Sequence, residues 1–207
     1  SLIEATKDQS KRDGRSAVEA YLYQTAPLDV AGIVPKIQKQ GTDTVLFLGT
    51  GAEALAFMKE AERLHWSPAL YLLSNSAGRE VFEAPMSFNH KIFVSFPTSP
   101  ADQTAEGIKE FRALAEKYQL PSQHLVAQLS AYSAAKILVE GLKRAGKDVS
   151  REKLIAALEG LNRFETGLTP AITYGLNRRI GATGAYVVEI DLEKKQFVPT
   201  SEWININ

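Results

Sequence analysis

The chain contains no cysteine among its 207 residues, which removes disulfides, thiolate metal ligands and a cysteine nucleophile together. The compartment stays open, because a chain without cysteine is compatible with reducing and oxidising surroundings alike. Histidine is scarce too. His65, His90 and His124 stand alone, with no second histidine three or four residues away, so the spacing of a zinc site or a catalytic histidine pair is missing. No Gly-x-Ser-x-Gly elbow occurs, which excludes the commonest serine-hydrolase arrangement on an α/β sheet. Neither sign of charge prevails: 24 Lys and Arg balance 24 Asp and Glu, scattered rather than gathered in a stripe, so nothing marks a nucleic-acid partner. The longest apolar runs, VLFL at 45–48 and IFVSF at 92–96, fall far short of the roughly 20 residues that a membrane helix needs.

What is present builds a core. Hydrophobic residues make up 44% and charged residues 23%, the balance of an ordinary folded protein. Residues 2–12 read as a polar helix closed by Asp13 and Gly14, and residues 17–23 as a first strand. Asp29 caps a helix whose Val30, Ile33, Val34 and Ile37 fall on one face, with Gly41 closing it. Residues 44–48 form a near-continuous apolar strand of the kind buried on both faces of a parallel sheet. A helix at 52–64 and strands at 69–73 and 91–96 continue the alternation, which argues for right-handed βαβ units in a doubly wound sheet.

Pro97 and Pro100 break that alternation by imposing an extended connection. Three helices without an intervening strand follow, at 102–118, 123–145 and 151–161, the last capped by Ser150. Strands are expected at 170–174, 184–191 and 196–198.

Three short motifs carry candidate chemistry. Gly49, Gly51 and Ala54 fit the glycine pattern of a dinucleotide turn between strand and helix, but the next strand ends in Ser74, Asn75 and Ser76 where an acidic residue would hold the ribose. Residues 141–147, GLKRAGK, match most of a phosphate loop; Asp148 replaces the metal-binding hydroxyl, and the segment ends a helix where that loop begins one. Ser74, Asn75 and Ser76 lie at the carboxyl end of an apolar strand, where open α/β sheets bind ligands, and Asn75 or Ser76 is equally suited to cap a short helix at 78–82.

The final quarter carries an ordered set of residues: Thr166, Gly167, Pro170, Ile172 and Thr173, then Asn177, Arg178 and Arg179, then Val187, Val188 and Asp191. Their order and spacing after a helix pair resemble the type I periplasmic solute-binding proteins of the branched-chain amino-acid transport class, Leu/Ile/Val-binding-protein-like. The resemblance implies an α/β fold: a doubly wound parallel-sheet lobe plus helices of a second, incomplete lobe. Residues 1–96 would form the second lobe and 101–165 the helical tail of the first lobe, whose sheet would lie upstream of residue 1. Residues 170–204 would be strands returning to the second lobe, with hinges at 96–100 and about 166–184.

By the same resemblance the protein is expected to be periplasmic, to bind a small amino acid or related carboxylate between its lobes, and to deliver it to an ABC transporter permease without chemistry or cofactor. Asn75 takes the place where that family receives the ligand's ammonium group, with Ser74 and Ser76 beside it; Thr50 and Gly51 take a second contact, and Gln128 lies near the cleft at the start of its helix. Asn75 is neutral, so ligands without an amine stay open. Two alternatives remain: a ligand-sensing regulatory domain of the same fold, and a nucleotide-dependent enzyme resting on the Gly49 turn. A second copy of the chain or an N-terminal segment is expected to cover the helical region.

Overall fold

The computed structural model describes residues 1–23, 29–74, 77–98, 102–121 and 125–205. Helix α1 (Leu2–Arg12) starts at Ser1, whose hydroxyl accepts the Glu4 N–H, and gives way to Gly14 at a φ of 63°. It buries none of its residues. The strand expected at 17–23 does not form: these residues run without ladder hydrogen bonds and are held at Tyr23, whose ring stacks on Phe47 at 6.1 Å. Alternation predicts a strand's faces, but pairing depends on an edge that the sequence does not specify.

Helix α2 (Val30–Gln38) begins where Asp29 accepts the Gly32 N–H at 2.9 Å. Strands β1 (Thr44–Leu46), β2 (Ala69–Leu73) and β3 (Ile92–Phe96) pair in parallel, with helix α3 (Gly51–Arg63) as the crossover between the first two. Two short 3-10 turns, Arg79–Glu83 and Met86–Phe88, join β2 to β3. The sheet is mixed rather than purely parallel: β4 (Gly184–Asp191) runs antiparallel beside β3, β5 (Gln196–Pro199) pairs with it on the far side, and β6 (Ile204–Asn205) pairs with its start.

The main core lies on one face of this sheet, where Val34, Phe57, Met58, Leu70, Leu72, Ile92, Val94 and Ile190 are buried. Each such side chain contributes about 1.5–3 kcal/mol. On the other face Leu46 and Tyr71 stay 43% and 38% exposed, with Tyr71 stacked on Phe93 at 4.9 Å, so the parallel strands are not covered on both sides as their composition suggested.

Helices α4 (Ala105–Lys117) and α5 (Leu125–Ala145) build a separate small core, and α6 (Arg151–Glu159) packs on α5 outside it. Phe111, Leu129 and Leu168 are buried in that core, with Ile108, Ala115 and Tyr132 packed around them. Helix α4 starts three residues later than the periodicity suggested because Thr104 caps it by accepting the Gly107 N–H. Helices α5 and α6 approach closely at Gly141, where a Cβ would lie 2.6 Å from a Leu158 methyl. The strand expected at 170–174 is reduced to one bridge, Phe164 with Ile172. Hydrogen bonds fasten the connection from β3 to α4 onto the returning chain: Thr98 donates to the Leu168 carbonyl at 2.7 Å, the Thr104 N–H donates to Gly167 at 2.9 Å, and the Tyr186 hydroxyl donates to Asp102 at 2.7 Å.

Candidate functional site

The loops at the carboxyl ends of the parallel strands converge on one cleft. It has a volume of about 3010 Å³ and is lined both by α1 with residues 15–23 and by the turns after β1, β2 and β3. A small-molecule site occupies about 300–1,000 Å³, so only part of this space is a pocket of ligand size. The polar groups gather at the strand ends: Thr50, Gly51, Ser74, Ala77, Gly78 and Glu80 line the cleft together with Phe96 and Pro97, and Leu125, Val126 and Ser130 from the first turns of α5 join them. The sheet unit and the helical unit therefore meet at the same opening.

The turn after β1 is held by local chemistry. Thr50 accepts the Glu53 N–H, and the Glu53 carboxylate accepts the Thr50 N–H at 2.8 Å and its hydroxyl at 2.9 Å, a complete capping box. The Tyr23 hydroxyl reaches the same carboxylate at 3.5 Å. Burial, and then the charge of Glu53, push the Tyr23 phenol above its ordinary range. Gly49 admits no side chain, because a Cβ there would collide with the Tyr23 hydroxyl. The 3-10 turn after β2 swings Glu80 back over the amino end of α3, so that a methyl on Gly51 or on Gly78 would strike its carboxylate oxygens. Two acidic side chains at this helix start oppose a bound phosphate, which removes the physical basis of the nucleotide reading of Gly49, Gly51 and Ala54.

Thr50, Gly51 and Ser74 thus share the cleft as the sequence suggested, with Gly51 buried and Thr50 exposed. Asn75 and Ser76 lie outside the described residues. Gln128 does not line the cleft; its amide donates to the Pro121 carbonyl at 2.6 Å. Glu80, Tyr23 and Ser130 were not singled out from the sequence. The sequence around Glu80 carries an acid two residues after Gly78 and nothing more, and its distance along the chain from Gly51 hid the contact. Among the described residues, no group of His, Asp and Glu side chains is placed to hold a metal ion, and no helix is long and apolar enough to cross a membrane.

A mixed α/β sheet with a broad cleft at its strand ends, flanked by a second helical unit, places the chain among α/β proteins whose clefts open at the strand ends. The family model described as periplasmic binding protein matches residues 1–196, and the chain belongs to that family. Its fold is that of a branched-chain amino-acid ABC transporter protein from Thermus thermophilus with bound valine (TM-score 0.81, 19% identity, covering 99% of this chain and 56% of that one). A fatty acid ABC transporter substrate-binding protein from Thermomonospora curvata is similar (0.78, 19%, 99% and 54%), as is an ABC transporter substrate-binding protein from Aeropyrum pernix (0.82, 15%, 99% and 56%). The chain spans little more than half the length of these structures. No curated protein sequence matches it.

Proposed function

We propose that the chain is part of an extracytoplasmic solute-binding protein that captures a small polar molecule between two lobes and passes it, chemically unaltered, to an ABC transporter permease. One observation carries this reading: Thr50, Ser74 and Glu80 from the sheet unit line the same cleft as Val126 and Ser130 from the helical unit. A ligand that touches both units favours the arrangement in which both contacts are made, which is how binding drives hinge closure.

In this reading residues 1–96 and 170–204 belong to one lobe and 101–165 to the other, with hinges at 96–100 and 166–184. The separate core around Phe111, Leu129 and Leu168 supports that division. So does the apolar surface of α5, where Leu138, Val139 and Leu142 are 48%, 48% and 41% exposed, a face suited to covering by polypeptide beyond these residues or by a second copy. Asn75 and Ser76 complete the ligand contacts beside Ser74. Membership in a family of binding proteins supports a periplasmic location and a non-catalytic role.

Calorimetric titration of the protein carrying this chain, with branched-chain amino acids and with fatty acids in turn, tests the function. Saturable binding of one class at one site per chain is expected, and mass spectrometry of the released ligand should recover it unchanged. Failure of both classes to bind, or conversion of the ligand above a buffer control, would refute the reading.

A further inference from the structure

Two passages of this chain join the sheet unit to the helical unit, one leaving β3 and one returning to β4, and their hydrogen bonds show which unit each residue follows. On the outward passage Thr98 is buried, and its hydroxyl donates to the carbonyl of Leu168 in the helical core at 2.7 Å. It moves with that core. On the return, residues 161–181 are tied to one another: the Tyr174 N–H donates to Leu161 at 2.9 Å, Phe164 and Ile172 exchange N–H bonds at 2.8 Å, and the Thr173 N–H donates to Gly181 at 3.0 Å. Gly184 already pairs with Asn205 in the sheet, where a Cβ would strike the Ile204 carbonyl. Between the units this leaves Pro97 on one passage and Ala182 with Thr183 on the other. Among the described residues Ala182 and Thr183 make no hydrogen bond.

A side-chain hydrogen bond crosses this gap. Tyr186 stands opposite Phe96 in the ladder of β3 and β4, where the outward passage leaves the sheet, and its hydroxyl donates to the Asp102 carboxylate at 2.7 Å. The Tyr186 ring is seated edge-on against Trp203 at 5.1 Å. Hydrogen bonds to a carboxylate are short and strong, and they are lost once the two atoms part beyond about 3.5 Å. This one is made while the cleft measures about 3010 Å³, far more than the roughly 300–1,000 Å³ that a small ligand fills. We propose that Tyr186 and Asp102 form a latch that holds the two units apart in the unliganded protein. A ligand then narrows the cleft by turning the units about Pro97 and Ala182–Thr183, and the latch parts as they turn. Neither residue lines the cleft; the pair positions its walls and sets how often the binding-competent form is populated. Apparent affinity is reduced by that population, so weakening the latch tightens binding. The latch rests on the solute-binding reading and supplies the contact that sets the resting angle of its two units.

The test uses the full-length protein carrying this chain, unmodified and as Tyr186→Phe, which removes the donor and keeps the ring. Small-angle scattering without ligand should give a smaller radius of gyration for Tyr186→Phe. Calorimetry with L-leucine and with hexadecanoate should give a dissociation constant about two- to tenfold lower in the variant for whichever compound binds. A merely structural loss would weaken binding, so the sign separates the two roles. Asp102→Asn, which keeps an acceptor oxygen, should stay near the unmodified protein in both readouts, and thermal unfolding checks that each variant folds. If Tyr186→Phe does not fold, Asp102→Ala takes its place with the same expected outcomes. An unchanged radius of gyration, or an affinity that is equal or weaker, overturns the latch and leaves the solute-binding reading standing. If neither compound binds the unmodified protein, that reading falls, and the scattering comparison by itself judges the latch.

Discussion

Glycine 51 and glycine 107 are both helical and both lack room for a side chain, yet they meet different neighbours, and the consequences of filling them differ. At Gly51 the obstructing atoms belong to the flexible end of Glu80, whereas at Gly107 they are the backbone carbonyl of Gly167, itself fixed at a φ of 79°. Gly51→Ala should therefore displace only the Glu80 side chain, while helix propensity offsets the loss of packing and leaves stability within about 1 kcal/mol of the original. Gly107→Ala must push α4 away from residue 167 and should destabilise the protein by about 1–3 kcal/mol in denaturant unfolding. Equal destabilisation by the two substitutions would contradict this contrast. If the Asn75 side chain meets the ligand, Asn75→Ala should cost on the order of 1 kcal/mol of affinity in a calorimetric titration, and an unchanged dissociation constant would remove it from the site.

Among the elements, the helix starts show how capping and ligand contact can be separated. Thr50 both caps α3 and lines the cleft, while Ser150 caps α6 by accepting the Lys153 N–H at 3.2 Å and has no place in the cleft lining. Thr50→Ala and Ser150→Ala should each cost about 1 kcal/mol of stability, and only the former should also change ligand affinity. The turn from β4 to β5 carries a pH dependence. Asp191 is buried there and accepts the Lys194 N–H at 2.9 Å; that hydrogen bond, then the Lys194 charge, hold its carboxyl below the usual range. A depressed folded-state value means stability that is present above the unfolded carboxyl's pKa of about 3.9 and is lost as pH falls through the lower folded value. The stability gap between the unmodified protein and Asp191→Asn, measured by denaturant unfolding, should accordingly shrink below about pH 4.

Much at this scale was legible in the sequence. Asp29 and Ser150 start helices where their short polar side chains precede an apolar period, and β1 to β3 lie on the apolar runs. Residues 17–23 and 170–174 misled, because their alternation is that of a strand but the pairing edge comes from tertiary structure. Thr50, Gly51 and Ser74 could be placed in the cleft from their positions at strand ends. Glu80 could not, since its approach to Gly51 exists only once a 3-10 turn has folded back over α3.

At the scale of the whole molecule two cores stand side by side, one on the sheet and one among the helices, joined by the connection around Thr98 and the returning chain at Leu168. Leu138, Val139 and Leu142 on α5 remain in water. Burying one such side chain is worth about 1.5–3 kcal/mol, so a contiguous surface of this kind favours association. Residues 1–207 expressed alone should run above their monomer mass of 22.7 kDa in light scattering, and a strictly monomeric, well-behaved species would count against the two-lobe proposal. In the proposed reading one small ligand bridges both units at the strand-end cleft. Amide hydrogen exchange of the full-length protein, with and without whichever branched-chain amino acid or fatty acid binds most tightly, tests this. Added protection is expected at 50–54 and 73–80 of the sheet unit and, together with it, at 125–130 of the helical unit. Protection confined to one unit, or to α1 and residues 15–23, would contradict it.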